Sequence, residues 1–552
     1  MKGVTAIANV LKLEGVEYLF CFPANPLIDA AAAAGIRPIL ARTERGAINM
    51  ADGYSRIAGG GKIGVIATQG GPGIENAFGA VAHAYADSIP ILVLPGGTER
   101  GRTGIRPTFN TVENYRGVTK WVEQLNMAKR VPEMMRHAFN NLRTGPTGPV
   151  VLEVPGDVAA EEIGEEDFNY RPVKGNRSSG DPQDVAAAVK ALLAAKTPVL
   201  HVGQGVLDSE AWNELREFAE LVQAPVMTIT TGKSAFPENH PLSIGNGGST
   251  ATGMVSHFLG KADLVFGIGS TFYRSLVGSP IPEGKVMIQC TVDERDFNNE
   301  YPLNYAVLGD VKLVLRQLVE ETKKQAGANG RRGNDSVANE VKTVKEEWLA
   351  HWMPKLTSDE VPINPYRVIW DMMHTVDRTN TIVTHDSGNP RDQMTPFYES
   401  IIPKGYIGWG NSTQLGYSLG ISIGAKLAAP EKTVLHVMGD AAIGMAGLDF
   451  ETALRSNAPI ITIVLNNGRM GGYGRNMPAA TEKFGSNLLG GNYAALAEAL
   501  GLSGERVDDP AEIVPAIRRA IQANQQGQPA LIEVMTKEEP DFSRVSWVAG
   551  GH

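Results

Sequence analysis

Residues 433–467 read TVLHVMGDAAIGMAGLDFETALRSNAPIITIVLNN. An apolar run over 434–438 ends in Gly439-Asp440, a helical stripe follows over 447–456, and a second apolar run over 460–465 ends in Asn466-Asn467. Two short apolar runs joined by a helical stripe imply parallel strands with a crossover helix. In an open parallel sheet, ligands bind beyond the carboxyl ends of the strands. Asp440 and Asn467 each follow a strand, so both side chains enter one crevice. One carboxylate and one amide oxygen suit Mg²⁺, a hard cation that keeps phosphate oxygens as its other ligands. Gly439, Ala441 and Ala442 are small enough to let phosphate oxygens approach backbone N–H groups at a helix start. Singly, Asp440 reads as a helix cap and Asn467-Gly468 as a turn; their placement on successive strand ends favours the metal reading.

The same alternation runs outward through the chain. The first unit reads as helix 5–14, strand 18–22, strand 38–41, helix 46–58, strand 63–67, helix 73–86, strand 91–94, helix 132–142 and strand 149–154. A second unit has strand 199–202, helix 210–221, strand 226–229 and strand 264–267. The third has helix 365–375, strand 381–384, helix 416–428, the quoted stretch, helix 510–524 and strand 530–534. The polar stretches 173–183 and 323–347 read as linkers. The expected fold class is α/β, with three Rossmann-like, doubly wound parallel-sheet domains over 1–172, 184–322 and 360–552.

Composition narrows the function classes. A net charge of -9 argues against a nucleic-acid or anionic-membrane surface. Cys21 and Cys290 lie in apolar runs, and a chain of 552 residues needs no disulfide framework. Lys2, Lys12, Glu14 and Glu17 interrupt any signal-like core at the start. The expectation is a cytoplasmic protein with no membrane span, acting on a small molecule.

Several motifs together resemble a family. Gly-Asp followed, 27 residues after the Asp, by the second Asn of Asn-Asn is similar to the diphosphate–metal motif of thiamine diphosphate enzymes of the acetolactate synthase, pyruvate oxidase and benzoylformate decarboxylase type. The resemblance implies thiamine diphosphate and Mg²⁺, with Asp440, Asn467 and the Arg469 carbonyl as metal ligands and Met470 beside the cofactor. Ala441 stands where the family carries Gly. Arg42-Thr43-Glu44-Arg45-Gly46-Ala47, followed by Ala51-Asp52-Gly53-Tyr54-Ser55-Arg56, resembles the synthases and implies that Glu44 hydrogen-bonds N1′ of the aminopyrimidine. An acid there promotes the imino tautomer that removes the proton from thiazolium C2. Trp409 to Gly420 resembles the family's Gly-rich turn, with Leu415 as the bulky wedge between the cofactor rings and the Thr413 carbonyl on the pyrimidine edge. Pro23, in Cys21–Asn25, and Asn76, after Gly70-Gly71-Pro72-Gly73, match turns around the pyrimidine. Asp87-Ser88-Ile89-Pro90 matches a further family segment. Asp386-Ser387-Gly388-Asn389 resembles a segment near the diphosphate, with Pro390 in place of a His. Gly232 to Pro241 carries the resemblance into the central domain.

What the resemblance leaves open is the substrate. Asn25, Gln69, Phe109 and Tyr473 stand where relatives contact substrate, and Lys120 lies downstream of Phe109-Asn110 at a different spacing. The expected activity is a lyase or carboligase on a 2-oxo acid or related carbonyl compound. The alternatives are a decarboxylase of an aryl 2-oxo acid or acyl-CoA-type substrate and, from another class, a nucleotide-dependent oxidoreductase. The central domain has Gly203-Gln204-Gly205 and Gly267-Ile268-Gly269 after strands; these read as tight turns, although relatives bind FAD or ADP there. Each outer domain holds only half a site, so Glu44 and Asp440 are expected to face one cofactor from different chains of a dimer or tetramer.

Overall fold

A computed structural model describes residues 1–274 and 278–545. It contains three six-stranded sheets, every strand pair parallel. The first comprises β1 (Tyr18–Phe22), β2 (Arg37–Leu40), β3 (Gly64–Thr68), β4 (Ile91–Gly97), β5 (Trp121–Gln124) and β6 (Val150–Pro155) in the order β2-β1-β3-β4-β6-β5. The central sheet comprises β7 (Pro198–Val202), β8 (Val226–Ile229), β9 (Ser243–Gly247), β10 (Leu264–Ile268), β11 (Val286–Thr291) and β12 (Tyr305–Leu308), in the order β12-β11-β10-β7-β8-β9. The third comprises β13 (Thr381–His385), β14 (Tyr406–Ile407), β15 (Thr433–Gly439), β16 (Ile461–Asn466), β17 (Ser503–Val507) and β18 (Ala530–Met535), in the order β14-β13-β15-β16-β18-β17. The fold is therefore α/β, as expected. Strand order reverses between β1 and β3, β7 and β10, and β13 and β15, and such switch points open ligand crevices at the strand ends. Among the described residues, no helix is long and apolar enough to cross a membrane.

The stretch 323–347 is not a linker. The helix Val311–Ala326 runs into it, and the helix Ser336–Leu356 covers most of the rest. Its polar composition hides a narrow apolar stripe. Val341 packs in the central-domain core, Trp352 and Leu356 pack in the third-domain core, and Trp348 stacks on Phe397 at 5.0 Å. The helix expected over 447–456 is Asp449–Arg455, and a further helix, Asp440–Ala446, precedes it and begins at Asp440 itself.

Two of the contacts between domains involve buried backbone or buried charge. The helix Glu44–Ile57 of the first domain lies directly on the helix Tyr417–Ala428 of the third. The approach is backbone to backbone: a Cβ on Gly53 would stand 2.1 Å from the Ile421 carbonyl oxygen, and one on Gly424 would stand 1.9 Å from that of Met50. The central and third domains meet around Lys233, whose buried ammonium lies 2.5 Å and 2.6 Å from the two carboxylate oxygens of Glu238. Glu238 also accepts from the Ser400 N–H at 2.6 Å, and Lys233 lies 5.2 Å from the Tyr406 ring centroid.

Removing one partner of a buried pair leaves an uncompensated charge, at a cost of about 3–5 kcal/mol. Glu238→Ala should accordingly lower the melting temperature strongly, whereas Lys233→Met with Glu238→Leu, which removes both charges, should recover much of the loss. Calorimetry of the two variants checks this.

Candidate functional site

The first sheet supplies one wall. Glu44 is the first residue of the helix Glu44–Ile57, which Thr43 caps by accepting from the Gly46 N–H at 2.9 Å. A helix-start acid that serves only the helix dipole normally faces water. Glu44 is 6% exposed, and Asn76 on the helix Pro72–Ala86 donates its amide to Oε2 at 2.7 Å. The acid is thus pinned through one oxygen. Gln69 lies at the end of β3, its Cβ 2.9 Å from where a Cβ on Gly73 would stand. Pro23 and Asn25 follow β1.

Asn25 has a structural role that the sequence did not suggest. Its amide nitrogen donates to the carbonyls of Thr68 (2.9 Å) and Leu94 (3.1 Å), and its oxygen accepts from the Leu27 N–H at 2.9 Å. One side chain ties the ends of β1, β3 and β4 together and caps the helix Pro26–Ala33. Phe109 packs at the edge of the hydrophobic core, and Asn110 caps a short helix by accepting from Glu113 N–H. Lys120 donates to the carbonyls of Asn141 and Thr144.

The third sheet supplies the other wall, from three loops at neighbouring strand ends. Asp440 is 5% exposed; Oδ1 accepts from the Ala441 N–H at 2.8 Å, and Oδ2 is buried with no hydrogen-bond partner. Burial raises its carboxyl above the ordinary value, while the N–H groups of Ala441, Gly468 and Arg469 oppose the rise. Asn467 Oδ1 accepts from the Arg469 N–H at 3.0 Å, and Met470 N–H donates to the Asn487 carbonyl at 2.8 Å. The Asn389 amide packs against Gly471, with its nitrogen 2.6 Å from where a Cβ would stand. Pro390 lies beside Gly439. Ala441 and Ala442 sit in the helix Asp440–Ala446, so Ala at 441 needs no left-handed backbone and its methyl is tolerated. Tyr473, on the short helix Tyr473–Asn476, is 48% exposed.

An orphaned buried carboxylate oxygen is rare and calls for a partner. Among the described residues, no cluster of three His, Cys, Asp or Glu side chains could hold a metal. The oxygens available are therefore the Asp440 carboxylate, an Asn amide and backbone carbonyls. That donor set fits Mg²⁺ with phosphate oxygens completing its shell.

Residues 411–418 join the two walls. Asn411 donates to the Ala86 carbonyl at 3.1 Å, Gln414 donates to that of Gly79, and the Arg45 guanidinium donates to that of Leu415 at 2.6 Å. Gly416 is left-handed (φ 77°), and a Cβ there would meet Met445 Cβ at 2.6 Å and the Ala442 carbonyl oxygen at 3.1 Å. Leu415 therefore lies between the residue next to Glu44 and the helix that begins at Asp440. These contacts are all within one chain. They show how the two outer domains pack within a chain; that Glu44 and Asp440 face one cofactor from different chains of an oligomer remains a proposal. Arg45, Asn411 and Gln414 were not singled out from sequence; the adjacency of Arg45 to Glu44 was the available signal.

The central domain has its own feature. The turns at Gly203-Gln204-Gly205 and Gly269 meet backbone to backbone, a Cβ on Gly203 reaching 2.2 Å from the Gly269 carbonyl oxygen. Beside them, between the first and central sheets, is a cavity of about 870 Å³ whose wall includes Arg143, Arg177, Gln204, Asp293 and Arg295. Its volume lies in the range of small-molecule sites.

The molecule is a three-domain α/β protein built on three parallel sheets. Models of thiamine pyrophosphate enzymes match it three times: the N-terminal TPP binding domain over residues 1–127, the central domain over 185–318 and the C-terminal TPP binding domain over 386–534. A probable acetolactate synthase large subunit of Methanocaldococcus jannaschii is 29% identical, covering 97% of this chain and 92% of that protein. Its counterpart in Methanococcus aeolicus is 27% identical over 95% and 91%. A glyoxylate carboligase of Escherichia coli O157:H7 is 29% identical over 98% and 94%. The chain belongs to the thiamine diphosphate-dependent enzymes of the acetolactate synthase-like superfamily, which form or cleave carbon–carbon bonds.

Asn25→Ala would remove all three of its hydrogen bonds and leave buried partners unmet, at about 1–3 kcal/mol. A lower melting temperature with an unchanged KM for substrate is the expected result. A raised KM at unchanged stability would return Asn25 to substrate contact.

Proposed function

We propose that the chain is an acetolactate synthase-like lyase or carboligase for a 2-oxo acid or related carbonyl compound, dependent on thiamine diphosphate and Mg²⁺. The observation that carries this is the pairing of a buried acid, Glu44, with an unpartnered buried carboxylate oxygen on Asp440, on opposite sides of the Leu415 loop. Bound thiamine diphosphate supplies the carbon nucleophile and electron sink needed to cleave or form a bond beside a carbonyl. Asp440, Asn467 and the Arg469 carbonyl are the residues to hold Mg²⁺. Gly439, Ala441 and Ala442, with Asn389 and Met470 beside them, form the surface for the diphosphate. With Oε2 taken by Asn76, Glu44 keeps Oε1 to hold a proton at N1′ of the pyrimidine. Pro23 and Leu415 would confine the rings, and the Thr413 carbonyl, which already accepts from Ser387 Oγ at 3.0 Å, keeps a second lone pair for the pyrimidine edge. Gln69 and Tyr473 are the exposed side chains left to meet substrate. Ligation is favoured over simple decarboxylation because a synthase and a carboligase are among the relatives. A panel of 2-oxo acids, glyoxylate included, assayed for CO₂ and for hydroxy-ketone products tests the reading. CO₂ with no ligated product would move the assignment to a decarboxylase.

Asp440→Ala should abolish Mg²⁺-dependent binding of the cofactor in calorimetry, since the carboxylate is the only charged group of the donor set. Equal affinity in wild type and variant would falsify the metal assignment.

Glu44→Gln keeps a hydrogen-bonding group but cannot supply a proton. Cofactor binding should survive, while exchange of the bound cofactor's C2 proton with D₂O slows by about 10²–10⁴-fold. Exchange at the wild-type rate would reduce Glu44 to a helix-start acid.

A further inference from the structure

Beneath the loop that carries Thr413 and Leu415 runs a line of buried polar side chains that the proposed chemistry does not use. Asp386 follows β13 and is fully buried. Its Oδ1 accepts from the N–H groups of Ser387 (2.8 Å) and Gly416 (3.0 Å). Its Oδ2 accepts from the Ser418 N–H at 3.4 Å and from the Ser418 hydroxyl. All four donors are neutral. Ser418 Oγ lies 2.7 Å from Nε2 of His436 on β15, and His436 Nδ1 lies 3.2 Å from the Thr462 hydroxyl on β16. Asp386, Ser418, His436 and Thr462 each have 0% exposure.

The hydrogens along this line follow from the network. Burial pushes His436 down to about 3, so its ring is neutral and carries one N–H. Ser418 gives its proton to Asp386, so its oxygen accepts from His436 Nε2–H. Nδ1 then accepts from Thr462. Every dipole points toward the carboxylate, an alignment in which each bond strengthens the next. Burial raises the Asp386 carboxyl above its ordinary value, and the donors at Ser418, Gly416 and Ser387 oppose the rise. The arrangement is not a hydrolytic triad: the Ser418 hydroxyl faces the carboxylate inside the core, where no substrate reaches it.

What the line holds is the loop. The N–H groups of Gly416 and Ser418 hang on Asp386, and the Thr413 carbonyl hangs on Ser387, whose own N–H is on Asp386. Leu415 stands between these anchored residues.

We propose that Asp386, backed by Ser418, His436 and Thr462, is a positioning residue that fixes the Thr413–Leu415 backbone against the cofactor pyrimidine. The proposal rests on the thiamine diphosphate reading above. The line accounts for a buried carboxylate with only neutral donors, and for fully buried polar side chains at 418, 436 and 462.

The test has two readouts. In protein without cofactor, amide hydrogen exchange of segment 414–420 is followed by mass spectrometry. Asp386→Asn places an NH₂ group where an acceptor is needed, so the segment should exchange about tenfold faster or more. In protein loaded with thiamine diphosphate and Mg²⁺, the variant should keep the wild-type cofactor affinity, because the Asp440 and Asn467 loops are untouched. Its C2 proton exchange should slow about 10²-fold, the cost of roughly 1 Å of misplacement. Ser418→Ala, one step along the line, should show the same pattern at smaller amplitude and decides the matter if Asp386→Asn does not fold. Unchanged amide exchange, or unchanged C2 exchange at unchanged affinity, overturns the proposal. Equal losses of affinity and C2 exchange also overturn it, by making Asp386 a binding residue. If wild type binds no cofactor, or Glu44→Gln exchanges normally, the function reading fails instead, while amide exchange still reports whether Asp386 anchors the loop.

Discussion

The backbone contact between the helices Glu44–Ile57 and Tyr417–Ala428 is the constraint on which the site depends. With Gly53 and Gly424 at the crossing, the helices touch with no side chain between them. A single methyl would have to displace a carbonyl, and packed interiors do not yield by that much without loss. Both helices begin at the same end of the contact. Glu44 opens one, and Leu415 lies just ahead of the other, so the helix spacing sets the spacing of acid and wedge. A buried polar network locks the pair. Arg56 lies 2.6 Å from Asp52 and 2.8 Å from Asp87, and the Tyr417 hydroxyl donates to Asp52 at 3.0 Å. The Tyr417 ring stacks on His83 at 3.6 Å, and burial keeps that histidine well below its usual range and hence neutral.

This network gives a physical reason for motifs that sequence alone presented only as a resemblance. Asp52 and Arg56 belong to the run after Glu44, and Asp87 to Asp87-Ser88-Ile89-Pro90. None touches the strand-end chemistry. They hold the domain junction, as Asn25 holds three strand ends and Glu533 holds Asn466 and the start of the helix Tyr493–Ala499. Not every buried group there is satisfied: Asp87 Oδ1 and both His83 ring nitrogens lack partners, and so does the Asp440 oxygen at its strand end. Burying a polar atom without a partner is costly, so the fold bears this cost at the place where a cation would relieve it.

Most of the parts legible in the sequence are buried on both faces or constrained by backbone geometry; the half-solvated edge strand β2, expected over 38–41, is an exception. β1 and β8 match the expected spans, and the interior strands β3, β4, β10, β13, β15 and β16 fall within a residue or a few, because central parallel strands read as continuous apolar runs. The strands that went unread are β5, β9, β12, β14 and β17, all at sheet edges, together with β11. The edge strands are all short, and some are half-solvated: Tyr305–Leu308 shows one buried residue in four, whereas β9 and β14 are buried throughout. The helix Ser336–Leu356 was hidden for a related reason, since its apolar stripe is too narrow to outweigh its charged face. The pairing of Asp440 with Asn467 was visible because β15 and β16 are adjacent. The Asp386–Ser418–His436–Thr462 line was not, because its members sit on four separate elements and only the sheet register brings them together.

The same distinction explains why the reaction class is readable and the substrate is not. Glu44, Asp440 and the Leu415 loop are fixed by burial, by glycine contacts and by hydrogen bonds to both domains, so their identities carry structural information. The segment after Asn467 is different. The helices Tyr473–Asn476 and Pro478–Phe484 bury no side chain, and Tyr473, Phe484 and Leu488 are 48%, 81% and 57% exposed. Side chains there are free to vary without disturbing the core, and loops held by a rigid scaffold are where binding residues concentrate. A surface that can change its substrate contacts without loss of fold leaves no packing signature in one sequence. The chemistry is written in the constrained residues and the specificity in the unconstrained ones.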